Sequence, residues 1–279
     1  MQAHASFVYK SAIIGSWVAT KVAPDTNQGI TMSVPKKKKQ VPLLVNTEGF
    51  APDESYVCWV DIMGTKNFMR ESFEKAANFI LRFHLACTKA AASKASVRCY
   101  PLMDGAFLTA TELDKLKKVI NVIYQELATH FIETDACNHL FVIRGSIAKG
   151  ELAHGENITP EICGEIAGND SYKKNLLFGL PMIQAFKAEE FAPPFGVYIH
   201  ESARKMDGIQ GRYYHWCSNS KTKDALKNQL QLYFSWCRLH SPYLKLDKSK
   251  ISHYEELVED YFSNSAISTE EFSKTIKQS

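Results

Sequence analysis

An Asp-Gly pair, Asp104-Gly105, leaves the chain little choice between residues 97 and 110, because it sits between two β-prone runs, VRCYPLM and AFLTA. Asp-Gly supplies the backbone freedom that a tight turn needs, so the two runs pair as an antiparallel hairpin. Upstream, YVCWVDI (residues 56–62) is a short apolar run rich in β-forming residues. It predicts a buried strand ending near Ile62, after which Gly64 turns the chain.

Helices flank the hairpin. Over residues 71–89, Phe73, Ala77, Ile80, Leu81, His84 and Leu85 recur at three- and four-residue spacings, predicting an amphipathic helix against the first strand. After the hairpin, Leu113, Leu116, Ile120, Ile123, Leu127 and Phe131 form the stripe of a second helix. HLFVIRGSIAKGE then predicts a fourth strand with a glycine-punctuated return, residues 178–190 a third helix, and residues 196–199 a short last strand. This order contains the βαββαβ core of an α+β, ferredoxin-like fold, with helices on one face of an antiparallel sheet.

Three regions follow. Residues 1–55 include Pro35, a lysine run at 36–39, Pro42, Gly49 and Pro52, which predicts a partly irregular arm whose lysines form a solvated loop. Residues 56–207 hold the core domain. Residues 208–279 are helical again, with Leu226, Leu230, Leu232, Tyr233 and Trp236 in one segment and Tyr254, Leu257, Val258 and Tyr261 in another.

Composition narrows the partners. A chain of 279 residues, 45% hydrophobic and 23% charged, can bury a full core. Its formal net charge of +3 gives no dense basic face, so no nucleic-acid partner is expected. Seven cysteines without a CxxC pair argue against a disulfide framework or a structural zinc site, and point to the cytoplasm. The opening apolar stretch is interrupted by Ser11, Ser16 and Trp17 and falls short of the roughly 20 residues of a membrane span, so no stable membrane association is expected.

Two carboxylates fall where this fold would bring them together: Asp61 at the end of the first strand and Asp104 at the hairpin tip. An aspartate in VCWVDIMG must be exposed, paired or bound to a cation, since burying it alone is costly. Two carboxylates on adjacent strands can hold a pair of Mg2+ or Mn2+ ions, the arrangement that phosphoryl transfer needs. Taken singly, Asp61 can equally cap a turn, and Asp104 can be an ordinary turn residue.

VDIMGTKNF, YPLMDGAFLTA, IRGSIAKGE and FGLPMIQAFKAE stand in the order of the motifs of class III nucleotidyl cyclases, which the chain resembles over roughly residues 57–190. The resemblance implies that Asp61, the backbone carbonyl of Ile62, and Asp104 hold the metals. It implies further that the amides of Met63, Gly64 and Thr65 cradle the triphosphate, and that Arg144 binds phosphate, an ion pair being the alternative for that side chain.

Two departures are specific to this chain. Tyr100 replaces the lysine that purine-specific members carry four residues before the hairpin aspartate; it can stack on or hydrogen-bond a smaller base, or simply pack in the strand. Ile183 stands for the transition-state asparagine and Lys187 for the arginine, and Lys187 either neutralises developing phosphate charge or is solvated. These departures resemble the bacterial Pycsar pyrimidine cyclases. That likeness implies a homodimer with interfacial active sites, UTP or CTP as substrate with UTP favoured, and a cyclic product read by a separate effector in anti-phage defence. The rivals are a purine cyclase and a catalytically inactive nucleotide- or RNA-binding module.

Overall fold

The computed structural model describes residues 50–217, 219–240 and 246–263; the lysine run, most of the N-terminal arm and the end of the C-terminal region lie outside them. In chain order the elements are β1 (Asp53–Ile62), α1 (Thr65–Glu71), α2 (Phe73–Ala92), β2 (Arg98–Leu102), β3 (Gly105–Ala110), α3 (Leu113–Glu133), β4 (Ile143–His154), α4 (Pro160–Ala167) and α5 (Asp170–Lys173). After them come β5 (Leu177–Phe178), α6 (Leu180–Ala188), β6 (Val197–Ile199), α7 (Glu201–Asp207), β7 (Tyr213–Tyr214), α8 (Ser220–Leu239) and α9 (Ile251–Ser263).

The sheet runs β2-β3-β1-β4-β6-β7, with β5 on β4. Its first four members pair antiparallel in the order of a ferredoxin-like βαββαβ unit, with helices packed on it, as the sequence predicts. Beyond them the sheet is mixed: β6 lies parallel to β4 because the chain crosses over through α6 between the two strands.

Both faces of the sheet are covered, which corrects the expectation of helices on one face. Tyr56, Cys58, Val60 and Ile62 of β1 enter the main core with residues of α2 and α3. Val57 and Trp59 face the other way, into a smaller cluster with Tyr100, Phe107, Ala148, Leu152 and Ala185 of α6. The unbroken apolar run of β1 has this cause, since a strand covered on one side only alternates. Period-two geometry places Asp61 on the Trp59 side.

Ser72 caps α2, its hydroxyl accepting from the Lys75 amide at 3.2 Å. The buried stripe of α2 is Ala76, Phe79, Phe83, Ala86, Cys87 and Ala90, whereas Phe73, Leu81 and Leu85 of the predicted stripe are exposed. The buried face sets Phe79 and Phe83 among alanines and one cysteine, whereas three of the large side chains of the predicted stripe stand outside it. The stripe of α3 is as predicted, with Leu116, Ile120, Ile123, Leu127 and Phe131 buried. Residues of α8 and α9, among them Leu226, Leu230, Tyr233 and Val258, join the main core.

Candidate active site

The end of β1 holds the site. Asp61 pairs with Gly105 of β3 on one side and Arg144 of β4 on the other. The Ile62 amide donates to the Asp104 carbonyl at 3.2 Å, tying the hairpin tip to the strand end. From the helical layer, His84 Nε2 donates to the Gly105 carbonyl at 3.2 Å. A Cβ on Gly105 would collide with the buried Trp59 ring, so glycine is required next to Asp104.

Gly64 takes φ 82°, the left-handed region, and turns the chain from β1 into α1. The Thr65 hydroxyl donates to the Ile62 carbonyl at 3.0 Å, bracing the residue after Asp61. Of the three amides expected to cradle phosphate, that of Met63 is taken: it donates to the Val142 carbonyl at 2.8 Å. Strand pairing with the approach to β4 claims it, and only Gly64 and Thr65 present amides without a partner among the described residues.

Electrostatics marks Asp61. Burial pushes its carboxyl up to about 8, helped by the carboxylates of Asp104 and Glu189 and opposed by Arg144 and the Ile62 amide. Among the described residues no ion pair reaches Asp61. Arg144, its cross-strand neighbour, instead pairs through Nε with Oε1 of Glu189, in the turn following α6, and through Nη1 with the Glu190 carbonyl at 3.4 Å. Glu189 is buried, and burial raises its carboxyl while Arg144 holds it down.

A resident divalent cation fits this donor set. The Asp61 and Asp104 carboxylates lie near enough at the strand end to act on one another, the Ile62 carbonyl follows Asp61 in the chain, and a half-buried carboxylate without an ion-pair partner favours ionisation only if a cation comes to it. Among the described residues no three His, Cys, Asp or Glu side chains form a closed cage. An ion held by one or two carboxylates, with water and substrate phosphates completing its shell, needs none.

The remaining predicted residues divide. Tyr100 is buried on the Asp61 face of the sheet, but its hydroxyl lies 2.6 Å from His154 Nδ1 and its ring stacks on that imidazole at 5.9 Å. Within the chain its ring is packed in the sheet and its hydroxyl is engaged with His154. Lys187 is exposed on α6, as is Ile183, while Phe186 between them packs its ring on Trp59 at 5.5 Å. Sequence reasoning missed Glu189, His84 and His154. Nothing in their local sequence marks them, since their partners lie 45, 21 and 54 residues away. A groove of about 440 Å3 lies elsewhere, lined by Phe50, Lys149, Phe178, Leu180 and Pro181, and none of the predicted site residues borders it.

No family model matches the chain, and no curated protein matches it. Among solved structures, the guanylyl cyclase domain of the RhoGC fusion protein from the aquatic fungus Blastocladiella emersonii is similar at 13% identity, covering 55% of this chain and 84% of that one, with a TM-score of 0.40. A bacterial light-regulated adenylyl cyclase is 12% identical over 63% of this chain and 97% of its own, at 0.45. The adenylate/guanylate cyclase/hydrolase from Silicibacter pomeroyi is 14% identical over 57% and 83%, at 0.42. Likenesses this distant carry no argument about chemistry, which rests on the chain's own residues.

Proposed function

We propose that the chain is a nucleotidyl cyclase converting a pyrimidine nucleoside triphosphate, UTP ahead of CTP, into its 3′,5′-cyclic monophosphate and pyrophosphate. The observation that carries this reading is the juxtaposition of Asp61 and Asp104, with Asp61 half-buried, without an ion pair, and raised to about 8. A carboxylate so placed is stable in its charged form only beside a cation.

Asp61, Asp104 and the Ile62 carbonyl would hold two Mn2+ or Mg2+ ions. Bound there, the ions supply positive charge to the phosphate oxygens and acidify the ribose 3′ hydroxyl. The Gly64 and Thr65 amides and Arg144 bind the triphosphate, so that the 3′ oxygen faces the α-phosphorus in line with the departing pyrophosphate. The bond from the α-phosphorus to the bridging oxygen breaks as the bond to the 3′ oxygen forms, and no side-chain nucleophile takes part.

Base preference rests on Tyr100, which with His154 fills the position of the purine-reading lysine. The exposed apolar side chains of α6 (Leu180, Ile183 and Phe186) and of the hairpin tip (Leu102 and Met103) support a homodimer in which Lys187 serves the partner's site. Residues 56–207 form the catalytic domain of this reading and residues 208–279 its helical support. Among the described residues no helix is long and apolar enough to cross a membrane. The product would act as a second messenger for a separate effector in anti-phage defence.

Incubation of the purified chain with ATP, GTP, CTP and UTP in Mn2+, with products resolved by chromatography, tests the reading. The expected outcome is one cyclic pyrimidine monophosphate, its formation lowered in Asp61→Ala and Asp104→Ala by about a hundred- to a thousandfold, the range expected for removing a group that stabilises developing charge. A cyclised purine would overturn the role given to Tyr100. Nucleotide binding without pyrophosphate release would favour an inactive binding module.

A further inference from the structure

Arg144 stands directly opposite Asp61 on adjacent antiparallel strands, and both side chains leave the same face. Cβ atoms so paired lie roughly 4.5–5.5 Å apart, and opposite charges there normally join. In this chain they do not. The Arg144 guanidinium is committed through Nε to Glu189 and, at 3.4 Å, through Nη1 to the Glu190 carbonyl. Glu189 is only 8% exposed. A carboxylate buried that deeply is held in place by its cation, and the cation by it.

Two consequences follow for the site, given the cyclase reading, on which this inference rests. An Arg144–Asp61 pair would neutralise the carboxylate and occupy the space that a metal ion needs, and Glu189 prevents it. A guanidinium carries five N–H donors in a rigid fork, and committing Nε and Nη1 fixes its plane and leaves the Nη2 group, which has no partner among the described residues, set in one orientation. We propose that Glu189 is a positioning residue: it withholds Arg144 from the metal carboxylate and presents the uncommitted Nη2 group of its guanidinium to the substrate phosphate.

The test uses the full chain, with Mn2+ binding followed by electron paramagnetic resonance without nucleotide, and with KM and kcat measured separately. Glu189→Gln keeps the shape and removes the charge, so Arg144 turns to Asp61. Mn2+ affinity then falls about tenfold or more, within the coupling seen for adjacent charged residues, and KM for the triphosphate rises by a similar factor. Arg144→Gln added to Glu189→Gln restores Mn2+ affinity, because nothing remains to compete for Asp61, but leaves KM high.

A residue that merely supports the fold would not show that rescue. The inference is overturned if Glu189→Gln binds Mn2+ and triphosphate as the parent does, or if the double variant, whose two neutral amides replace the pair, still binds Mn2+ weakly. Should no nucleotide turn over at all, the cyclase reading fails, and the Mn2+ measurements still decide the role of Glu189.

Discussion

Asp61 shows how a single residue can be legible in sequence yet unexplained by it. An aspartate in an apolar strand had to be exposed, paired or metal-bound, and the structure removes the second option because Glu189 has taken Arg144. Its carboxyl rises from an ordinary 3.8 to about 8. Between those values the unfolded chain has lost the proton while the folded chain keeps it, so without metal the contribution of Asp61 to stability falls as pH rises from about 4 to about 8, and is flat outside that window. Asp61→Asn should remove this fall and raise the thermal midpoint in EDTA at pH 9, by ~2–4 °C for each kcal/mol recovered in a domain of this size. Unfolding scans against pH check it; a parent and variant with parallel profiles would contradict the half-buried, cation-seeking carboxylate. Asp104 was legible through its turn, whereas Glu189 was not, because an acidic residue after a helix looks solvated until its partner is known.

Among the elements, the β2–β3 hairpin is where local sequence and tertiary packing agree. The hairpin forms where Asp-Gly marks it, but the two turn residues are Met103, at φ 53°, and Asp104, one place earlier than the pair implied, and Gly105 is already in β3, where the Trp59 ring occupies the space a Cβ would need. Gly105→Ala should therefore destabilise the fold by about 1–3 kcal/mol, as overpacking in a tight core does. It should also lower turnover, since the residue adjoins Asp104; denaturant unfolding alongside the cyclase assay measures both. Helix α2 shows the opposite case. Three- and four-residue spacings are present on more than one face of it, and the face chosen for burial carries Phe79 and Phe83 with Ala76, Ala86 and Ala90 rather than Phe73, Leu81 and Leu85. Periodicity reports that a helix has a side, but close approach of neighbouring elements decides which side.

At the scale of the whole molecule, the C-terminal helices are part of the structure that carries the site. Leu230, Tyr233 and Phe234 of α8 are fully buried in the same cluster as the inner face of β1, and the Tyr261 hydroxyl of α9 donates to the Tyr214 carbonyl on β7 at 2.7 Å. Leu230→Ala should cost about 2–5 kcal/mol, as cavity-forming changes in well-packed cores do, and should lower a single unfolding transition rather than create a second one. Calorimetry distinguishes the two: a separate low-temperature transition would mean that α8 and α9 melt independently of the sheet.

The sequence alone determined the βαββαβ order, the hairpin and the meeting of Asp61 with Asp104, because strand runs, helix stripes and an Asp-Gly turn are local patterns whose physics acts over a few residues. Only the tertiary structure decided that α6 covers the second face, that Met63 spends its amide on Val142, that Tyr100 bonds His154 and that Glu189 holds Arg144. Those outcomes depend on which groups the fold brings within hydrogen-bonding reach across tens of residues, where burial drives most polar groups to a partner and the nearest one in space prevails.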